Sequence, residues 1–307
     1  MCPSWHIGPV RRRALLCGAL VVVGVVALLL LPKREPRYKG VKLSSWLGHL
    51  AEPVADPTES AIVFGASPEA VEAIKSIGTN AIPFLVEWLG YEQPRWKQKL
   101  AAAVGAVNSG RGGRFGAWVR GEPPDNRVMG LITAFNILGT NAAWAAPEII
   151  DIIRKRRLRG ERLSAIAAIY SLGHVGSVEA YRTLIEIASS GGPFEKSAAE
   201  YAMGTLPDLG TNAGPAVRFL SESARRGSVE AIMALGNLAA GPEIAIPALT
   251  NAIITGNALA KESAVRALGQ FGARAAGALP TLQAALNDED ASVRSAATNA
   301  LEAIGTK

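Results

Sequence analysis

Leu138–Ala142 reads LGTNA, Leu209–Ala213 reads LGTNA again, and Ile77–Ala81 reads IGTNA. A Leu or Ile followed by Gly fits the last buried position of a helix, with the Gly at the left-handed position just past its end. Thr and Asn then offer side-chain oxygens to the free N–H groups of a following helix. Each copy therefore reads as helix stop, tight turn, helix start. Three copies predict three copies of one helical hairpin.

The flanks support this. A proline follows each turn near the expected start of the second helix: Pro83 in AIPFLVEWL, Pro147 in AAPEIIDII, Pro247 in AIPALTNAI and Pro280 in ALPTLQAAL. Proline suits a first helical turn, where its missing N–H has no intrahelical partner anyway. Apolar residues recur behind it at helical spacing, as in Ile82, Leu85, Val86 and Leu89, and in Leu279, Leu282 and Leu286. The last helix carries its own stripe of Val293, Ala297, Ala300, Leu301 and Ile304. ALGNLA at Ala234, ALGQFG at Ala267 and ALEAIG at Ala300 are each 33 residues apart. Taken as turn glycines, Gly139, Gly173 and Gly210 step by 34 and 37, whereas Gly78 to Gly139 is 61, almost two periods. That interval holds a helical stretch, RWKQKLAAAVGAV, and a Gly/Arg-rich insertion near 108–126. A lone hairpin cannot bury its apolar face, so the expected fold is all-α, a solenoid of stacked hairpins over residues 43–307.

These repeats resemble a known family. ESAVRALGQFGARAAGALPTLQAALNDEDASVRSAATNALEAIG is similar to HEAT repeats of the phycobilisome-lyase HEAT-like kind, with Asp290, Val293 and Arg294 on the family's Asp-x-x-Val-Arg helix start. Other repeats depart from that motif: Val265–Arg266 follows Glu262, and earlier repeats lack the pair. The resemblance covers roughly residues 60–307. YKGVKLSSWLGHL also resembles a short helix preceding such repeats in membrane-anchored bacterial HEAT proteins, with Ser44 as cap and Leu43, Trp46, Leu47 and Leu50 as buried face. What the resemblance implies is a binding scaffold, without implying any one chemistry; the expected function is to bind a protein partner, with no catalysis of its own.

The N-terminus has a different character. Residues 1–13 form a basic tail, and Ala14–Leu31 are eighteen residues without charge. As a helix they span about 27 Å, close to the hydrocarbon thickness of about 30 Å. The run ends in Leu28–Leu31 and Pro32, a poor signal-peptidase site, so residues 14–31 read as an uncleaved transmembrane anchor and 32–42 as a juxtamembrane linker. Arg11, Arg12 and Arg13 favour a cytoplasmic N-terminus, but Lys33, Arg34, Arg37 and Lys39 flank the other end. The short tail tips the reading towards a periplasmic repeat domain and leaves the cytoplasmic side open.

Charge narrows the function classes. The net +6 lies in residues 1–42, with eight Lys/Arg against one Glu; the remainder has 24 basic and 25 acidic residues. Bulk nucleic-acid binding is therefore poorly supported. Within the body, residues 93–162 carry thirteen basic and five acidic side chains. That segment holds the candidate partner-binding residues Arg111, Arg114, Trp118, Arg154, Lys155, Arg156, Arg157 and Arg159, because Trp and Arg are enriched in binding hot spots. The bland alternative is a solvated helix end, with Trp88 and Trp144 packed in the core. Binding an anionic ligand, nucleic acid or lipid headgroup through residues 93–162 is the competing function.

Signals for chemistry are weak. The two cysteines, Cys2 and Cys17, precede the body, so it has no disulfide or thiolate metal site. His6, His49 and His174 share no metal-ligand spacing and none is followed by Glu, unlike the His-Glu pairs that bind iron in deoxyhypusine hydroxylase. His174 reads as a cation at a helix C-terminus. NDEDAS (Asn287–Ser292) reads as a solvated turn with an N-cap, and GRGGRFG lacks the Lys and Ser/Thr of a phosphate loop. No cofactor, metal or small-molecule substrate is expected.

Overall fold

The computed structural model describes residues 34–50, 52–55, 62–91, 125–158, 162–206 and 213–305. The expected anchor, the Gly/Arg insertion before residue 125 and the turn at 209–212 lie outside them. The chain divides into Met1–Pro36 and Arg37–Lys307, and the architecture below belongs to the second unit.

Two antiparallel strand pairs precede the array, where the sequence led us to expect helix or linker. β1 (Arg37–Tyr38) pairs with β2 (Val41–Lys42), and β3 (Glu52–Ala55) pairs with β4 (Ile62–Gly65). Between them lies α1 (Leu43–Gly48), which buries Leu43 and Leu47, with Leu50 just beyond. Its N-cap is Lys42 and Ser44 falls inside the helix, so Ser44 is not the cap. The Tyr38 hydroxyl donates to the Glu72 carboxylate at 2.7 Å and fastens this segment to the first hairpin.

The hairpins then follow in order: α2 (Pro68–Ile77) with α3 (Ile82–Leu89), α4 (Asp125–Leu138) with α5 (Ala146–Leu158), and α6 (Arg162–Val175) with α7 (Val178–Ser190). After these come α8 (Pro193–Thr205) with α9 (Gly214–Arg225), α10 (Val229–Leu238) with α11 (Pro242–Thr255), α12 (Ala258–Phe271) with α13 (Leu279–Ala285), and finally α14 (Ala291–Gly305). From α4 onwards each first helix stacks on the next, giving a layer of α4, α6, α8, α10, α12 and α14. The second helices form the other layer, each wedged against the first helix that follows it. One continuous core of Leu, Ile, Val and many Ala runs between the layers.

The signature turns behave partly as expected. Gly78 (φ +59°, ψ −140°) ends α2 and Gly139 (φ +52°) ends α4, in backbone conformations that favour glycine. Thr and Asn, however, cap nothing there. Gly78–Ala81 and Gly139–Ala145 wind as 3₁₀ helix directly into α3 and α5. Their i→i+3 hydrogen bonds serve the N–H groups a side-chain cap would otherwise satisfy. These two 3₁₀ turns touch each other, so the first two hairpins are stacked neighbours despite the 61-residue interval. Pro83 and Pro280 lie in first turns as expected. Pro247 does not: α11 starts at Pro242, placing Pro247 inside the helix.

Gly173 is not a turn glycine either. That role falls to Gly176 (φ +67°), and Gly173 lies within α6. It is the first rung of a ladder along the first-helix layer. A Cβ on Gly173 would lie 2.6 Å from the Ala202 carbonyl oxygen of α8, and one on Gly204 2.5 Å from Ala234 Cα of α10. On Gly236 it would lie 2.8 Å from Ala267 Cβ of α12, and on Gly269 3.3 Å from Ala300 Cα of α14. Each receiving alanine is followed two residues later by the next glycine, until Glu302 occupies that position in α14. At the other end, Gly130 of α4 lets the Leu47 carbonyl of α1 approach to within 2.2 Å of where a Cβ would be.

The ladder yields a graded prediction. Gly204→Ala and Gly236→Ala would overpack against backbone or Cβ and cost about 1–3 kcal/mol in chemical denaturation. Gly269→Ala has more room and gains up to about 1 kcal/mol of helix propensity, so its net effect falls within about 0.5 kcal/mol of zero. Equal costs at all three positions would remove the ladder as the cause.

Candidate interaction surfaces

The basic run at the end of α5 splits into two roles. Arg156 is 5% exposed, and its guanidinium donates to the carbonyls of Tyr91 (2.7 Å) and Leu89 (3.5 Å). Those carbonyls sit at the C-terminus of α3, where a cation also meets the negative end of the helix dipole. Arg156 is thus a clip between neighbouring repeats and presents no charge to a partner. Arg157 is half-buried and pairs through Nε with Glu195 at 3.3 Å. Glu195 also accepts from the Gly192 N–H and closes the start of α8. Among the described basic residues of this run, only Arg154 and Lys155 face solvent, and Lys155 pairs with Asp151 at 2.6 Å. Arg111, Arg114, Trp118 and Arg159 lie outside the described residues.

Other polar groups join repeat to repeat or close a helix start. Lys261 donates to Asp288 at 2.7 Å, and that ammonium holds Asp288 below the usual carboxylate range. Asp290 accepts from the Ser292 N–H and is lowered chiefly by that bond. Arg294 donates to the carbonyls of Asp288 and Glu289. NDEDAS is therefore the entry to α14, as the turn-and-cap reading expected. Arg274 reaches back to the Ala239 carbonyl at 2.7 Å. Glu200, 1% exposed, accepts from the hydroxyls of Ser223 and Ser228, with Lys196 Nζ at 3.9 Å. Among the described residues no group of His, Cys, Asp and Glu is arranged to hold a metal.

His174 contradicts the expectation of a helix-end cation. Burial lowers its pKa to about 4, so the imidazole is neutral at pH 7. Desolvation there outweighs the attraction of the helix terminus.

The two tryptophans read as core residues part ways. Trp88 is half-buried and packs against the core beside Phe84, with ring centroids 6.0 Å apart. Trp144, by contrast, is 52% exposed on its 3₁₀ turn and is not a core residue.

A second surface was not foreseen. Aligning the first helices on their ladder glycines puts one residue, three before each glycine, on the outer ridge: Tyr170, Tyr201, Met233 and Arg266. Tyr170 and Tyr201 meet edge-to-face, centroids 5.6 Å apart at 89°. Tyr201 is 41% exposed, Met233 38% and the nearby Phe194 69%. Burial, then Tyr201, then the Glu230 carboxylate raise the Tyr170 pKa. The alignment that reveals this row needed only the sequence, but it required Gly173 to be read as a packing residue.

Comparison with known proteins adds a match over the C-terminal repeats. Residues 246–307 match a family model described as HEAT repeats. No curated protein matches the chain. Among solved structures, human deoxyhypusine hydroxylase in complex with glycerol is similar at 20% identity, over 86% of this chain and 96% of that one, with a TM-score of 0.34.

Two predictions test these assignments. Arg156→Ala would cost about 1.5–3 kcal/mol by stranding α3 carbonyls, while Arg154→Ala stays within about 0.5 kcal/mol, both read by urea denaturation. For His174 the unfolded chain takes up a proton near pH 6.5 and the folded one only near 4. Stability is therefore full above pH 6.5 and falls as pH drops towards 4, by about 1–2 kcal/mol between pH 7 and 5. His174→Gln removes that share of the pH dependence. The sequence match and the stacked hairpins lead to one conclusion: residues 246–307 carry HEAT repeats, and the described helical pairs stack into an α-solenoid.

Proposed function

We propose that this protein is a membrane-tethered scaffold whose solenoid binds a protein partner and performs no catalysis itself, of the phycobilisome-lyase HEAT-like, membrane-anchored bacterial type. The observation that carries the reading is the outer ridge of the first-helix layer, where Tyr201, Met233 and Phe194 stay exposed on a well-packed frame. Aromatic and methionine side chains are what protein interfaces concentrate. The apolar run Ala14–Leu31 supplies the tether, with the repeats on the exported, periplasmic side. Val128–Leu158 is also long and apolar enough to cross a membrane, but here it is α4, a 3₁₀ turn and α5, with Phe135, Ile149, Ile150 and Ile153 in the solenoid core.

The exposed Arg154 and Lys155 support a second contact, with an anionic ligand such as lipid headgroups, to which Arg111, Arg114, Trp118 and Arg159 would add. Such binding would weaken steeply with salt.

Proximity labelling from the full chain in its own membrane tests the main reading. The expected result is a small, reproducible set of exported or periplasmic proteins, one of which co-purifies. A label set no different from that of the anchor segment alone would contradict it.

A further inference from the structure

RYKGVK, at Arg37–Lys42, breaks two local rules within one hairpin. The register of β1 and β2 sets Arg37 directly opposite Lys42 and Tyr38 opposite Val41. Opposed residues of paired strands share a face, so Arg37 and Lys42 form a like-charge pair that works against the hairpin. Between the strands, Lys39 and Gly40 turn the chain with φ of +48° and +79°. Asn, Asp or Gly is the usual choice at the first of those positions, because most side chains are strained in the left-handed region. A lysine stands there instead.

Neither departure is relieved inside the fold. Arg37, Lys39 and Lys42 are all exposed, and none has a carboxylate within ion-pair distance among the described residues. Arg37 donates to the Gly40 carbonyl at 3.2 Å, and the Lys39 ammonium lies 5.1 Å from the centre of the Tyr38 ring. The carboxylates that act on Lys39 from a distance, Glu72 and Glu69, belong to α2, and Glu72 already accepts from the Tyr38 hydroxyl. Tyr38 packs against the core and fixes the hairpin to the solenoid, while the three cations stay in solvent. Local rules are broken where a sequence serves something besides its own fold. Here both breaks gather positive charge at one place, which calls for an anion.

Reach decides which anion. Leu31 ends the apolar run, six residues before Arg37. Six residues extend to about 20 Å at most. In the tethered protein the hairpin therefore never leaves the neighbourhood of the phospholipid headgroups. A guanidinium grips phosphate through paired hydrogen bonds, and ammonium groups add point charge, so basic clusters beside an anchor hold anionic lipid. A nucleic acid or an acidic protein would meet the same cations, but nothing keeps either one close to them.

We propose that the Arg37–Lys42 hairpin is a docking site for the anionic phospholipid headgroups of the membrane that carries the anchor, with Arg37, Lys39 and Lys42 as the phosphate-facing cations. This deepens the scaffold reading and rests on its membrane tether.

The full chain in nanodiscs tests the site, with a fluorophore attached through Ser45→Cys beside the hairpin and with Cys2→Ser and Cys17→Ser removing the native thiols. Lipids spin-labelled on the headgroup quench the fluorophore where the two meet. Quenching is expected to be about threefold stronger in discs containing phosphatidylglycerol than in phosphatidylcholine alone, and the excess disappears at high salt. Arg37→Gln, Lys39→Gln and Lys42→Gln together abolish the excess, whereas Arg218→Gln, an exposed cation on α9, leaves it unchanged. In phosphatidylcholine the triple variant unfolds at the parent's temperature or above it, because the cross-strand repulsion is gone. Equal quenching in both lipids, an equal loss with Arg218→Gln, or a triple variant less stable in phosphatidylcholine overturns the site. Displacement by soluble glycerophosphate at matched ionic strength also overturns it, by assigning the cations to a free anion. Release of the full chain from its own membrane by alkaline carbonate sinks the tether instead, and the site with it, so the two fail by different experiments.

Discussion

The structure depends on how closely successive first helices approach. At Gly173, Gly204, Gly236 and Gly269 no side chain separates a helix from an alanine of the next. Glycine in a helix interior costs about 1 kcal/mol relative to alanine. Its repeated use in this layer is offset by the contacts that close approach permits, for dispersion falls off steeply with a gap of even an ångström. The alanines on the receiving side complete the fit. This is why an array so poor in aromatic residues still has a continuous core: small residues bring backbones together, and Leu and Ile fill the space between layers.

A second set of interactions fixes register along the array. Arg156 to the end of α3, Arg157 to Glu195, Arg274 to Ala239 and Lys261 to Asp288 each join one repeat to a neighbour. Two of these arginines satisfy carbonyls at helix or turn ends, which a solenoid exposes once per hairpin. The basic middle of the sequence is therefore spent partly on structure. What it leaves for partners is smaller than its formal charge suggests, and the apolar ridge gains weight as an interaction surface.

Much of the fold was legible in the sequence because turn chemistry and helical spacing are local. IGTNA, the first-turn prolines Pro83 and Pro280, and the 33-residue beat placed the hairpins and their stacking. Errors arose where one residue type serves two purposes. LGHVG contains two glycines three residues apart: one turns the chain and the other admits a neighbour, and local pattern does not say which. Pro247 sits inside a helix because Gly241–Pro242 opens α11 earlier. Whether an arginine faces solvent or a carbonyl of another repeat, as with Arg156, depends on contacts 65 residues away in sequence. Trp144 and His174 failed in opposite directions: the tryptophan lies on an exposed turn and the histidine is desolvated. The Tyr170–Tyr201–Met233 row was present in the letters but became visible only once the ladder gave the correct alignment.

The central claim is that each repeat is held by its immediate neighbours. Native-state hydrogen exchange on the Gly204→Ala variant tests it most directly, because overpacking at one rung loads a single interface. The account predicts that amides of α8 and α10 lose the most protection, with smaller losses in α6 and α12 and little change in α2 or α14. Unchanged protection in α8 and α10, with losses concentrated in remote helices, would contradict it.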